Sequence, residues 1–69
     1  MSRTIIVNGE ARPWRDQSML DLLAEFDVGH DRPGVAVALN AEILRRGAWP
    51  ATRLVPGDRI EIVHIVRRG

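Results

Sequence analysis

The last sixteen residues, 54–69, constrain the fold of this chain more than any other segment. The Pro-Gly-Asp sequence at 56–58 predicts a turn, because Pro fixes φ and Gly readily adopts a positive φ. The run of Ile and Val that follows predicts a β-strand. This strand leads directly into Arg67, Arg68 and Gly69, and Gly69 carries the free α-carboxylate. We expect a buried strand to hold the root of a slim tail, whose carboxylate can enter a partner's active site and be modified there.

The size and composition of the chain predict one small domain without catalytic machinery of its own. A chain of 69 residues has room for a single domain, 1–69, and a core of this size needs nearly every large apolar residue. Little volume then remains for a substrate pocket, which argues against an enzyme. The absence of Cys and Lys excludes thiolate and Schiff-base chemistry on side chains. Neither a signal peptide nor a transmembrane segment is present in the sequence, so we expect a cytoplasmic protein that does not bind membranes.

The charge pattern indicates a mixed surface. All ten basic residues are Arg, and with nine acids they give a formal charge of +1. The arginines are scattered among the acids, whereas a nucleic-acid binder usually has a concentrated basic stripe. We therefore expect no nucleic-acid partner.

Local sequence signals predict four further strands and one helix. Residues 4–7 form a β-branched run that Asn8-Gly9 should turn into a hairpin with residues 10–14. Residues 35–40 and 43–45 predict another strand pair, and 47–52 should be irregular. Between the pairs, Ser18 opens a helix with Asp21 three residues later, and Gly29 closes it.

The predicted helix carries an apolar stripe that indicates an α+β fold. The stripe consists of Met19, Leu22, Leu23 and Phe26, at the spacing of one helical face. The element order ββαβββ and a right-handed crossover place the first and last strands parallel at the sheet centre. The prediction is a β-grasp (ubiquitin-like) fold, a mixed sheet with one main helix across it. The helix should face Ile5, Val7, Val35, Val37, Leu39, Ile60 and Ile62.

The sequence resembles the ubiquitin-like sulfur carrier proteins, most closely the carrier of thiazole formation in thiamine biosynthesis. The matching segments are residues 7–10 in the first turn, 20–23 in the helix, 35–40, and 49–63. The resemblance covers almost the whole chain in register. It implies a non-enzymatic carrier whose terminal carboxylate, here that of Gly69, becomes an acyl-adenylate and then a thiocarboxylate.

The resemblance also implies the partners. An adenylyltransferase uses ATP to activate the terminus, a sulfur-donor protein replaces AMP, and a thiazole synthase receives the sulfur. The carrier itself is expected to bind no cofactor. The family ends in Gly-Gly, whereas this chain ends in Arg68-Gly69. Either the partners accept Arg68, or Gly69 is the penultimate residue of a longer natural terminus.

The alternation of the last strand predicts a docking face. Ile60 and Ile62 point toward the helix, so Val63 and Ile65 lie on the open side of the sheet, together with Ile6. An exposed apolar patch on a small domain is typical of a docking surface, and partial burial by a loop is the competing interpretation. Arg67 and Arg68 should accompany the tail into the partner's active site.

Other residue types give weaker indications. His30 and His64 are far apart and lack Cys partners, so no metal site is expected. Trp14 and Trp49 should cover the edge of the core, and Asp58 should stabilise its own turn. Two alternatives to the thiazole carrier stay open. One is a β-grasp interaction module that does not use its terminus, and the other is a sulfur carrier for molybdenum cofactor synthesis.

Overall fold

The computed structural model describes residues 3–29 and 33–65 and contains five strands and one α-helix in these ranges. The strands are β1 (Thr4–Val7), β2 (Glu10–Pro13), β3 (Val35–Leu39), β4 (Glu42–Leu44) and β5 (Arg59–His64). Helix α1 (Met19–Ala24) follows β2, and a 3-10 helix (Arg46–Ala51) follows β4. The predicted flexible tail, 66–69, lies outside the described residues.

The five strands form one mixed sheet in the order β2-β1-β5-β3-β4. Strand β5 runs parallel to β1, with Val7 opposite Ile60, and antiparallel to β3, with Val37 opposite Ile62. The predicted β-grasp architecture is therefore confirmed, including the parallel first and last strands. The last described strand, β5, therefore lies in the centre of the sheet between β1 and β3.

Both hairpins are closed by two residues with positive φ. The first turn has Asn8 at 50° and Gly9 at 84°, and the second has Asn40 at 51° and Ala41 at 71°. Turns of this kind match the right-handed twist of the strands. The first hairpin was predictable from Asn-Gly, whereas the second places an alanine where glycine is favoured.

Helix α1 begins as predicted and ends earlier. Asp21 N donates to Ser18 Oγ at 3.1 Å and Ser18 N donates to Asp21 Oδ2 at 3.2 Å, which is a capping box. The helix ends at Ala24, and Asp27 takes the left-handed conformation with φ of 59°. Val28 N then donates to the carbonyl of Leu23 at 3.0 Å, which returns Val28 to the core.

This early helix end changes the environment of Phe26. Phe26 was expected in the apolar stripe, but it follows the helix and is only half-buried. The Arg12 guanidinium carbon lies 4.6 Å from the centroid of its ring, so the arginine covers the side that solvent would reach.

The core lies between the sheet and the two helices. Its buried apolar residues are Ile5, Val7, Met19, Leu22, Leu23, Val28, Val35, Val37, Trp49, Leu54, Ile60 and Ile62. Most of these were predicted. Leu39 is only half-buried and packs against the cluster from its margin.

Trp49 was wrongly expected at the edge of the core. It is fully buried, and its Nε1 donates to the Leu44 carbonyl at 3.2 Å. The segment predicted to be irregular forms the 3-10 helix that carries this ring. Trp14 is the half-buried cover that was predicted, with its Nε1 donating to the Leu54 carbonyl at 2.8 Å. No helix within the two described ranges is long and apolar enough to cross a membrane.

Candidate docking face and tail root

The root of the predicted tail is fixed by a close contact between Ile65 and Gly34. Ile65 N donates to the Gly34 carbonyl at 2.6 Å, immediately after the end of β5. Gly34 has a φ of 74°, and a Cβ built on it would lie 3.0 Å from the Ile65 carbonyl oxygen. Glycine is therefore favoured at this position by both conformation and space. Ile65, the last described residue, is therefore hydrogen-bonded to the residue that precedes β3.

The predicted modification site lies beyond this root. Gly69, with Arg67 and Arg68, falls outside the described residues, so their roles remain predictions. His30, which was weighed as a metal ligand, also lies outside them. His64 is exposed at the end of β5.

The structure brings Ile6 and Val63 together on the open side of the sheet. Both line a shallow depression, together with Asn8, Gly9, Arg59 and Glu61. Ile6 is half-buried, whereas the exposed fractions of Val63 and Ile65 are 52% and 54%. Ile65 follows the strand end and borders this region without lining the depression. At this exposure no described loop buries Val63 or Ile65, and their role in docking remains a prediction.

One residue of this surface was not identified from the sequence. Ile43 on β4 has 74% of its surface exposed, and it pairs with Ala38, which in turn pairs with Glu61. Paired residues share a face of the sheet, so Ile43 extends the open face to the far edge. The alternation of β4 was the available signal, since Leu44 packs against the core and its neighbour must point away. We call Ile6, Val63, Ile65 and Ile43 the open-face cluster.

Two asparagine side chains accept hydrogen bonds from the backbone of β5. Asn8 Oδ1 accepts from Ile62 N at 2.8 Å, and Asn40 Oδ1 accepts from Arg59 N at 2.9 Å. Both asparagines lie in the positive-φ turns described above. Each side chain supplies an acceptor where the neighbouring backbone has turned away from β5.

The buried carboxylate of Asp58 joins this arrangement. Asp58 Oδ2 accepts from Val55 N at 2.9 Å, so the prediction that Asp58 stabilises its turn is confirmed. Its Oδ1 accepts from Asn40 Nδ2 at 3.1 Å, which links the start of β5 to the β3–β4 turn. A buried carboxylate is stable in the fold when its oxygens are hydrogen-bonded in this way.

The chemistry available on this surface is that of binding. Within residues 3–29 and 33–65, no three His, Cys, Asp or Glu side chains are grouped so as to hold a metal ion. The open-face cluster offers apolar contact, and Arg59 and Glu61 add one charge of each sign beside it. Such a mixture is typical of the centre and rim of a protein interface.

Within residues 3–29 and 33–65, a central last strand, one α-helix and an exposed opposite face of the sheet define a β-grasp protein of the ubiquitin-like class. The sequence profile of the ThiS family matches residues 5–67, and the chain belongs to that family. No curated relative matches the chain.

Two solved structures have the same fold. The crystal structure of the thiamine biosynthesis protein ThiS from Geobacter metallireducens is 29% identical, with a TM-score of 0.78. That similarity covers 96% of this chain and 99% of the other. The solution NMR structure of a thiamine biosynthesis protein from Geobacter metallireducens is also 29% identical, with a TM-score of 0.72 over 96% of this chain and 87% of the other.

Proposed function

We propose that this protein is a sulfur carrier whose C-terminal carboxylate, on Gly69, is converted to a thiocarboxylate that supplies the sulfur of the thiamine thiazole. The observation that carries the proposal is the match to the ThiS family over residues 5–67, which extends along β5 and into the tail. The carrier itself performs no catalysis. Its C-terminus is a co-substrate of the partner enzymes.

The chemistry requires activation of the carboxylate. A carboxylate oxygen of Gly69 attacks the α-phosphorus of ATP on an adenylyltransferase (ThiF-like), and pyrophosphate leaves. Sulfide from a sulfur-donor protein then attacks the acyl carbon and expels AMP, which forms the C–S bond. The sulfur of the thiocarboxylate is nucleophilic and is taken up by a thiazole synthase (ThiG-like).

The position of β5 supports this use of the terminus. Two neighbouring strands and the Ile65–Gly34 contact hold the strand, so little local unfolding is needed to present the residues that follow. A rigidly held root limits the conformations that the tail must lose on entering an active site, which reduces the entropic cost of binding. Arg67 and Arg68 add positive charge beside the terminus, which favours association with an acidic, ATP-handling partner.

The open face supports docking on the same partner. The half-buried Ile6 and the exposed Val63 and Ile65 form an apolar surface that leads to the tail root. We propose that this surface binds the adenylyltransferase while the tail enters its active site. Docking on the face would bring the tail root, at Ile65, next to the partner's surface.

The test is sulfur incorporation at the terminus. The protein is incubated with its cognate adenylyltransferase, ATP and sodium sulfide, and intact-mass and fragment spectra are recorded. The expected result is replacement of one oxygen by sulfur, located on Gly69. Reactions without ATP should show no change, and neither should a variant without Gly69, because its terminal Arg would bring a side chain to the point of close approach.

Two variants test the unusual terminus. Arg68→Gly should react as fast as the parent or faster if the partners merely tolerate Arg68. A chain with one added Gly should react faster if the natural terminus is longer by one residue. If none of the three forms is adenylated, the carrier function is wrong and the β-grasp interaction module takes its place.

The destination of the sulfur is tested separately. The loaded carrier should support thiazole formation with the cognate thiazole synthase. Transfer to a molybdenum cofactor precursor instead would keep the carrier chemistry and overturn its assignment to thiamine.

A further inference from the structure

Among the described residues, none pairs with the second half of β5 on the side of β1, and we call this stretch the free edge. Val7 is the last residue of β1, and the chain turns away at Asn8. Asn8 N donates to the Ile60 carbonyl at 2.9 Å, and the Asn8 side chain then accepts from Ile62 N. With that bond the pairing between β1 and β5 ends, two residues before β5 itself ends at His64.

The direction of the remaining backbone groups follows from the pairing with β3. Asn40 N donates to the Arg59 carbonyl and Ile65 N donates to the Gly34 carbonyl, so odd-numbered residues of β5 bond toward β3. Even-numbered residues point the other way, as the bonds of Ile60 and Ile62 to Asn8 show. The Ile62 carbonyl and both backbone groups of His64 therefore point away from β3, beyond the end of β1. Among the described residues, none bonds to them there.

The hairpin tip that precedes this edge is not covered by other described residues. A Cβ built on Gly9, at the tip of the first hairpin, meets no atom within 4 Å. Asn8, Gly9 and Val63 line the same depression of the open face. An extended segment placed there would continue the line of β1 beside β5.

The outer edge of the sheet at β2 is different. Trp14 N bonds inward to the Arg3 carbonyl, so the neighbouring Pro13 lies at a position where an N–H would point outward. Proline has no such donor and blunts this edge. His64 occupies the equivalent outward position on β5 and retains its donor.

We propose that an extended segment of the adenylyltransferase pairs with β5 at Ile62–His64 and adds a strand to the sheet. The free edge is continuous with both the open-face cluster and the tail root, so one partner can engage all three. One residue opposite His64 can exchange two backbone hydrogen bonds with it, as in other cases of strand addition. This inference rests on the proposed function, because it takes the adenylyltransferase as the partner.

Hydrogen exchange at the His64 amide is the primary test, since it uses the unaltered protein. In the isolated chain, the His64 amide should exchange rapidly while that of Ile65, bonded to Gly34, is protected. Binding of the adenylyltransferase should protect His64. Equal protection of His64 and Ile65 in the free protein would overturn the free edge, and absence of protection in the complex would overturn the pairing.

A proline substitution tests the same bond by binding. His64→Pro removes the outward N–H and fixes φ at the last residue of β5, without removing a donor that bonds to β3. It should fold like the parent while binding the adenylyltransferase about tenfold more weakly. His64→Ala keeps the N–H and should bind like the parent. Ile65→Pro is the control for strand disruption, because it removes the donor to Gly34 and should destabilise the fold. Equal binding by His64→Pro and His64→Ala would contradict the proposal.

The two proposals can fail separately. Sulfur incorporation at Gly69 without protection of His64 would overturn the strand pairing and leave the carrier function intact. Protection of His64 without adenylation would overturn the carrier function and leave the strand pairing intact. Absence of any complex would overturn both.

Discussion

Asn40 Nδ2 donates to Asp58 Oδ1 at 3.1 Å, and the Asn40 Oδ1 accepts from the backbone N–H of Arg59 at 2.9 Å. The same carboxylate holds the preceding turn through Val55 N. One side-chain pair therefore joins the β3–β4 turn to the start of β5. This pair therefore helps to position the strand that precedes the C-terminal residues.

Replacing the amide of Asn40 by a carboxylate should destabilise the protein. Asn40→Asp loses the donor to Asp58 and places two carboxylates together, and we expect a loss of about 2–3 kcal/mol near neutral pH. Urea denaturation of the variant and the parent at the same pH measures the effect.

Asn8→Asp is the matched control for this change. Asn8 lies in the same kind of turn, and its Oδ1 only accepts from Ile62 N, which a carboxylate can also do. Asn8→Asp should change the free energy of unfolding little. Equal losses for both substitutions would show that the pairing of Asn40 with Asp58 contributes nothing specific.

The second hairpin can be stabilised by a single glycine. Ala41 has a φ of 71°, where a Cβ is unfavourable, so Ala41→Gly should add about 1 kcal/mol to the free energy of unfolding. Gly9 has a φ of 84° with no atom within 4 Å of a built Cβ, so Gly9→Ala should lower the free energy of unfolding through backbone strain alone. Thermal melting of both variants checks the pair. An Ala41→Gly variant with a lower melting temperature would contradict the conformational argument.

Gly34→Ala should loosen the root of the tail. The added Cβ would meet the Ile65 carbonyl oxygen at 3.0 Å in a left-handed backbone, and we expect a loss of about 1–2 kcal/mol. Hydrogen exchange at the Ile65 amide should accelerate at the same time. Gly47→Ala is the control, since Gly47 has no left-handed φ and no neighbour within 4 Å of a built Cβ. A stable Gly34→Ala variant would show that the strand end can shift without cost.

Leu23→Ala should be the most damaging truncation of the helix face. Leu23 is fully buried, and removing its side chain should cost about 2–5 kcal/mol, which can unfold a domain of this size. Ile43→Ala removes an apolar side chain that is 74% exposed and should change the melting temperature little. If Leu23→Ala melts like the parent, the packing of α1 on the sheet is misassigned.

The docking face can be tested without unfolding the protein. Val63→Asp and Ile65→Asp should retain the fold but raise the KM for adenylation at least about tenfold, because a charge would be buried in an apolar contact. Val55→Asp has an equally exposed apolar parent, 54% against 52% for Val63, and lies away from the depression. It should react like the parent. Equal KM values for all three variants would overturn the assignment of the face.

Several features were predictable because they depend on residues close together in the chain. Asn8-Gly9 indicated the first hairpin, and Ser18 with Asp21 indicated the start of the helix. The alternation along β5 placed Ile60 and Ile62 in the core and Val63 outside. Such signals depend on local backbone geometry and on a period of two, both of which the sequence carries directly.

Tertiary structure decided the features that depend on distant partners. Helix α1 ends early because Val28 gains burial in the core. Trp49 is buried because a 3-10 helix turns its ring toward Leu44. Asn8 bonds to Ile62 across 54 positions of the sequence. The free edge of β5 follows from the same cause: β1 turns away before β5 ends, a difference in strand length that appears only when the two strands are paired. Sequence periodicity assigns each residue to a face of its own strand, but the unpaired hydrogen bonds of a sheet are determined by where its neighbours stop.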